Sequence, residues 1–241
     1  MSARQHKAVV VGGGNGIGAA VVTDLKQRGV DVCVWDIDGE RDITCDVSDP
    51  SSVAAAAAET VTDFGVPTEV TITAGIGHSG FLLDVTPDEW DRVMNVNSRG
   101  VWLAMRELAR PMLAGDGGSI VVTTSVSARL ADRMMGVYCA SKAALDMLVA
   151  VAAAEWAPKV RVNGVAPGVT QTRMLGNARI DGGYLKGVVA RTPLGRLGTA
   201  DDVAETVRLL HGSRWTTGEV VRSDGGLLRH SPISPIGDYS V

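Results

Sequence analysis

Short β-branched runs alternate with longer segments of helical periodicity along this chain, and that alternation restricts the fold more than any other feature. Residues 8–11, 30–35, 69–73, 119–124, 160–165 and 219–222 read as strands, with a further short one near 42–45. Several are apolar almost throughout, as strands covered on both faces must be. Between them, Ile17, Val21 and Leu25 recur every four residues and stop at Gly29, a helix ending at its C-terminal glycine. Asp49 and Pro50 open a second helix running to residue 63, with the aspartate as cap and the proline in the first turn. Segments 88–113, 138–156 and 200–211 complete the helices. Strand–helix alternation of this kind predicts one α/β domain over residues 1–241, a doubly wound, largely parallel seven-stranded sheet with helices on both faces.

Composition removes several classes of function. A net charge of −4 with no basic cluster argues against a nucleic-acid binder. Cys33, Cys45 and Cys139 have neither metal-ligand spacing nor a disulfide framework, and His6, His78, His211 and His230 form no ligand group. No metal is expected. The longest apolar run, residues 147–154, is far short of a membrane span. The stretch 8–11 runs straight into a glycine loop and not into a cleavage site, so the expected location is cytoplasmic.

That loop, VVVGGGNGIG over residues 9–18, places Gly12, Gly16 and Gly18 between the first strand and the first helix, with Asn15 and Ile17 among them. Glycines there permit a tight turn and let a pyrophosphate approach the N–H groups at the helix start. The second strand ends in Asp36, 18 positions beyond Gly18, where a carboxylate accepts from adenosine ribose hydroxyls. The spacing Gly12-x3-Gly16-Ile17-Gly18 resembles the TGxxxGIG loop of the short-chain dehydrogenase/reductase family, and the resemblance continues over nearly the whole chain. It implies an adenine-contacting pair at Asp46 and Val47, and makes Thr73, Ala74 and Gly75 the counterpart of the family's Asn-Ala-Gly. It also implies a Pro167–Gly168 segment that brings Thr170 and Thr172 near the nicotinamide carboxamide. Val11 replaces the family's loop threonine and Thr73 its asparagine, which puts local rigidity in question. Only nine residues separate Asp36 from Asp46, so the usual intervening helix is missing.

The same resemblance assigns the catalytic set Asn97, Ser125, Tyr138 and Lys142. Tyr138 and Lys142 stand four apart, on one face of a helix, and Ser125 ends a strand 13 residues upstream. Oxidising an alcohol needs a base for the hydroxyl proton as hydride leaves carbon. A tyrosine with pKa ~10 reaches ~7 only with about 4 kcal/mol of preference for phenolate. One cation at ~4–5 Å with effective ε ~20 supplies about 3–4 kcal/mol, the role given to Lys142. Ser125 would donate a hydrogen bond to the substrate oxygen. By the resemblance, Asn97 belongs to a water-linked proton relay through Lys142, and Tyr138 and Lys142 also hold the nicotinamide ribose.

The expected activity is therefore NAD-dependent hydride transfer between nicotinamide and an alcohol or ketone carbon of a small, largely apolar substrate. Residues 173–192 read as a substrate lid, with Met174, Leu175, Ile180, Tyr184, Leu185 and Val188 as apolar lining; a plain surface excursion is the alternative. His78 reads as an exposed loop residue, with a pocket position as the alternative. A carrier-protein-linked 3-oxoacyl reductase and a catalytically silent nucleotide sensor are the rival functions. An enoyl reductase is disfavoured, because its pattern sets Tyr and Lys seven apart. Asp36 argues for NAD over NADP, with Arg41 as the one nearby cation able to weaken that preference. Residues 143–154 hold a single charge, Asp146, and a helix apolar almost all round predicts a buried outer face in a homotetramer.

Overall fold

The structure, a computed structural model, describes residues 6–176 and 182–229. Seven strands form one sheet: β1 (Lys7–Val11), β2 (Asp31–Asp36), β3 (Ile43–Thr44), β4 (Glu69–Ile72), β5 (Gly118–Thr123), β6 (Val160–Pro167) and β7 (Val220–Ser223). Their order is β3-β2-β1-β4-β5-β6-β7, and every pairing is parallel. This is the doubly wound, Rossmann-type sheet that the alternation predicted. The winding reverses between β1 and β4, so the crevice that receives ligands in such sheets opens above those two strands.

The central strands β1, β4, β5 and β6 bury both faces, and the period of two divides their side chains between two cores. Val9 and Val11 of β1 enter one core with Ile72, Ile120 and Val122. Helices α2 (Pro50–Glu59), α4 (Val101–Ala114) and α5 (Gly136–Trp156) cover that face through Val53, Leu108 and Leu145. Ala8 and Val10 enter the other core with Val121 and Val165, beneath α1 (Gly16–Gln27) and α8 (Ala200–Gly212). The remaining helices are α3 (Pro87–Met94), α6 (Arg173–Gly176) and α7 (Gly182–Arg191).

Two helices differ from the sequence expectation in an informative way. The predicted continuous helix over 88–113 follows one helical path but opens into a wide π turn at Asn95–Gly100, between α3 and α4. Wide turns of this kind recur at functional sites, and this one carries Asn97. The second predicted helix likewise keeps a helical path to residue 64, with α2 passing into another wide turn at Thr60–Phe64. The proposed lid consists of α6 and α7, with Ile180 outside the described residues. As expected, no helix joins β2 to β3; a turn does so.

The outer side of α5 leaves Met147 65% and Val151 44% exposed. By length and composition α5 alone, among the described helices, is apolar enough to cross a membrane, yet its inner side packs on the sheet through Leu145, Val149 and Ala152.

Candidate active site

The carboxyl end of β1 turns through Gly12, whose φ of +82° suits glycine alone at little cost. The N–H of Gly12 donates to the Trp35 carbonyl at 2.7 Å, tying the loop to β2. A Cβ at Gly18 would collide with the Gly12 carbonyl, so the start of α1 lies directly against the loop. On the other side the Thr73 hydroxyl donates toward the carbonyls of Gly12 and Val11 at 2.8 and 3.2 Å. Thr73 therefore supplies a hydroxyl that bonds the loop where the family carries asparagine, and the loop keeps a cross-strand tie.

Asp36 closes the adjacent side. Its Oδ2 accepts from the Gly14 N–H at 2.8 Å, while its Oδ1 accepts from the N–H groups of Ile37 and Asp38. A carboxylate so held keeps one lone-pair site, on Oδ2, for a further donor. Asn15 is the N-cap of α1, and its side-chain amide lies beside Gly39. Asp46 accepts from Ser48 through both backbone and hydroxyl, and Val47 is buried below it. Beyond β6, the Gly168 N–H donates to Ser223, Thr170 donates to the Gly168 carbonyl, and Thr172 stands opposite Gly16. The groove has the shape, the free helix start and the acidic end that a nicotinamide dinucleotide requires, and the residues present fit one.

The four expected catalytic residues arrive from three elements. Ser125 follows β5 in extended conformation, its Oγ accepting from the Ser127 N–H at 3.1 Å. Tyr138 and Lys142 lie one turn apart on α5, with Nζ 5.8 Å from the centre of the tyrosine ring. Asn97 sits in the wide turn, and a Cβ at Gly75 would stand 3.3 Å from its Oδ1 and 3.5 Å from Lys142 Nζ. Glycine at 75 is what lets these two side chains approach the loop after β4.

Their environments differ sharply. Lys142 is 4% exposed and donates to the Thr123 carbonyl at 3.1 Å. Burial pushes its ammonium down to about 8, against a smaller opposing pull from Asp146. Burial raises the Tyr138 phenol above its ordinary value, and a hydrogen bond with Ser125 opposes that rise. Without cofactor, then, the phenol is held neutral and acidic in role. The Asn97 side chain is fully engaged: its Oδ1 accepts from the Ile76 N–H, and its Nδ2 donates to the Ile76 carbonyl and to Ser141 Oγ. Here it braces the loop after β4 against α5.

Several participants carry no signal that the sequence reading used. Ser141 Oγ donates to the Tyr138 carbonyl at 2.7 Å, and Ser98 Oγ donates to the Ser141 carbonyl, so the wide turn grips the second turn of α5. Their places inside the NVNSRG and YCASK segments were the available clue. Ser127 Oγ donates to Asp132 at 2.6 Å, fixing the loop before Tyr138. The His78 side chain is only 6% exposed, which corrects the expectation of an exposed loop histidine. Arg41 donates to Thr44 and to the Gly39 carbonyl, and a second cation reaches this end of the groove: Arg173 pairs with Asp38 at 3.0 Å. Arg173 lies 135 positions from Asp38, and nothing in the sequence joined them.

A family model described as Enoyl-(Acyl carrier protein) reductase matches residues 12–228. Versicolorin reductase 1 of Aspergillus parasiticus is 35% identical over 92% of this chain and 96% of its own. A short-chain type dehydrogenase/reductase from Mycobacterium ulcerans superposes with a TM-score of 0.89 at 27% identity, covering 95% of this chain and 92% of its own. The chain belongs to the short-chain dehydrogenase/reductase family. A gluconate 5-dehydrogenase from Burkholderia cenocepacia, solved with NADP and tartrate, superposes equally well, with a TM-score of 0.89 at 28% identity over 94% and 96% of the two chains. The protein is an oxidoreductase of this family.

The buried ammonium makes a stability prediction. With its folded pKa near 8 against 10.5, Lys142 binds fewer protons folded than unfolded between those values, so its penalty is full below pH 8 and disappears by about 10.5. Lys142→Met should stabilise the cofactor-free protein at pH 7, by at most about 3 kcal/mol. It should also flatten the rise in stability between pH 8 and 10.5. Denaturant melts across that range would show a loss of stability at pH 7 if the charge is not strained.

Proposed function

We propose that this protein is an NAD-dependent dehydrogenase/reductase acting on an alcohol or ketone carbon of a small, largely apolar substrate. The observation that carries the reading is the linked set in which Ser125 hydrogen-bonds Tyr138, Tyr138 lies beside Lys142, and Lys142 Nζ lies beside Gly75. The bound nicotinamide would exchange hydride with the substrate carbon. Ser125 donates a hydrogen bond to the substrate oxygen and stabilises charge developing there. Tyr138 Oη passes the proton to or from that oxygen. A neutral phenol raised by burial suits donation to a ketone. For oxidation the phenolate must form, and a Lys142 cation, with Nζ 5.8 Å from the ring centre, would favour that form. Asn97 holds the loop and α5 in register for that transfer and lies beside the Lys142 end of the relay. Asn97, Ser125, Tyr138 and Lys142 are the catalytic set on this reading.

Gly12, Asn15, Gly16, Ile17, Gly18, Asp36, Asp46, Val47, Thr73, Ala74, Gly75, Pro167, Gly168, Thr170 and Thr172 are assigned to the cofactor, with Tyr138 and Lys142 on its ribose. Residues 1–241 act as one catalytic domain and 173–192 as a lid. Met174 lies close to Gly77, which supports α6 reaching over the substrate side of the cleft. Phe81, Leu82, Met134, Met174 and Tyr184 expose apolar surface around it. The protein is placed in the cytoplasm. An acyl-carrier-linked activity is the second reading, favoured by the description of the matching family model. Against enoyl reduction stands the one-turn spacing of Tyr138 and Lys142.

Tyr138→Phe should lower kcat by about 10²–10⁴ and leave NADH affinity near that of the parent. Near-parental turnover, on any alcohol or ketone that the parent accepts, would sink the assignment.

NAD preference rests on Asp36, because a 2′-phosphate at ~4 Å from its carboxylate meets about 4 kcal/mol of repulsion per unit charge at effective ε ~20. The ratio of kcat/KM for NAD over NADP should exceed about 10² and fall most of the way to one in Asp36→Ala. Equal use of both cofactors by the parent would remove Asp36 as the selector.

The exposed apolar side of α5, with Trp102 and Trp90 on neighbouring helices, supports a homotetramer. Light scattering should return four times the chain mass, and Met147→Glu should dissociate it; a monomer at working concentrations refutes this.

A further inference from the structure

The glycine loop proposed to meet the dinucleotide pyrophosphate carries no cation. Residues 9–18 contain no Lys or Arg, so a bound pyrophosphate, with two negative charges, would meet only N–H groups and the dipole of α1. Arg41 is engaged by Thr44 and Gly39. Arg173 is placed differently. It directly follows Thr172, whose Cβ lies 3.6 Å from where a Cβ of Gly16 would stand, so its backbone is one residue from the phosphate loop. It begins α6, on the β6 side of the crevice, while its partner Asp38 lies just past β2 on the far side of β1. The Arg173 side chain thus reaches across the groove at the level of the glycine loop to close on Asp38 at 3.0 Å.

We infer that Arg173 is a positioning residue for the dinucleotide pyrophosphate, and that Asp38 competes with the phosphates for its guanidinium. The inference rests on the reading that the groove binds a nicotinamide dinucleotide. Both partners are more than half exposed, 58% and 62%, so the pair is screened by water and salt and opens readily. A pyrophosphate offers two charges and paired acceptor oxygens that match a guanidinium fork, against a single monodentate carboxylate oxygen here. On release of Arg173, Asp38 keeps the Gly39 N–H on its other oxygen at 2.8 Å, so the turn it anchors need not move.

The competing roles give opposite signs for the two partners. With full-length protein, NADH binding is read by fluorescence titration and ADP and adenosine binding by calorimetry, at low and high salt. Arg173→Gln should weaken NADH and ADP about tenfold at low salt, less at high salt, and leave adenosine unchanged. Arg173→Lys should recover part of the loss. Asp38→Asn should tighten NADH and ADP severalfold, because the competitor is gone while an acceptor for the Gly39 N–H remains. If both substitutions weaken binding alike, the pair is only a brace and the inference fails. It also fails if Arg173→Gln leaves ADP binding unchanged. A parent that binds neither NADH, NADPH nor ADP overturns the dinucleotide reading itself, and that result is distinct from a parent that binds and variants that do not differ.

Discussion

An ammonium group buried at the end of β5 is the constraint around which this site is organised. Lys142 has little access to water and one backbone acceptor, the Thr123 carbonyl. Such a charge is costly, and the fold retains it only because surrounding elements over-determine its position. Leu145 and Val149, one and two turns further along α5, are fully buried in the sheet's core and fix the helix axis. Glycine at 75 leaves the space into which Nζ projects. The depressed ammonium and the raised phenol are two outcomes of the same desolvation, acting on groups of opposite charge type.

Holding that arrangement requires contacts between parts of the chain that are distant in sequence. The wide turn at Asn95–Gly100 presents Asn97 to Ile76 on one side and Ser141 on the other, and Ser98 to the Ser141 carbonyl. A regular helix would rotate these side chains past their partners, since each added residue in a turn shifts the following face. Asn97, Ser98 and Ser141 all find partners in this network, whereas Thr123 Oγ1 and Asp146 Oδ1, both close to Lys142, are buried without one. A static brace and a proton relay are compatible roles for one residue.

The end of the groove proposed for adenosine is built more sparingly. Where a helix is absent between β2 and β3, a turn anchored by Asp36 and Asp38 lies against the glycine loop, with Gly39 beside Asn15. Cover there comes from that turn, whose Asp38 holds Arg173 over the phosphate side of the groove. Cover of this kind depends on an exposed ion pair, so it is sensitive to ionic strength in a way that a packed helix is not.

The sequence by itself determined the layered architecture, the strand candidates and the glycine loop at the carboxyl end of β1. Hydrophobic period and glycine placement are local properties, and a parallel sheet leaves few ways to arrange them. Tyr138 and Lys142 were legible for the same reason: four residues on a helix bring two side chains together whatever the rest of the chain does. Asp36 was legible from its place at a strand end, and the short connection to Asp46 from its length alone. The wide turn under Asn97 was not, because residues 88–113 carry an unbroken helical pattern and the widening is set by what packs on either side. Nor was the burial of His78, which depends on how the loop after β4 folds back. The pairing of Arg173 with Asp38 belongs to the tertiary structure entirely, since two exposed, oppositely charged residues meet there only because β2 and β6 end on the same side of one sheet.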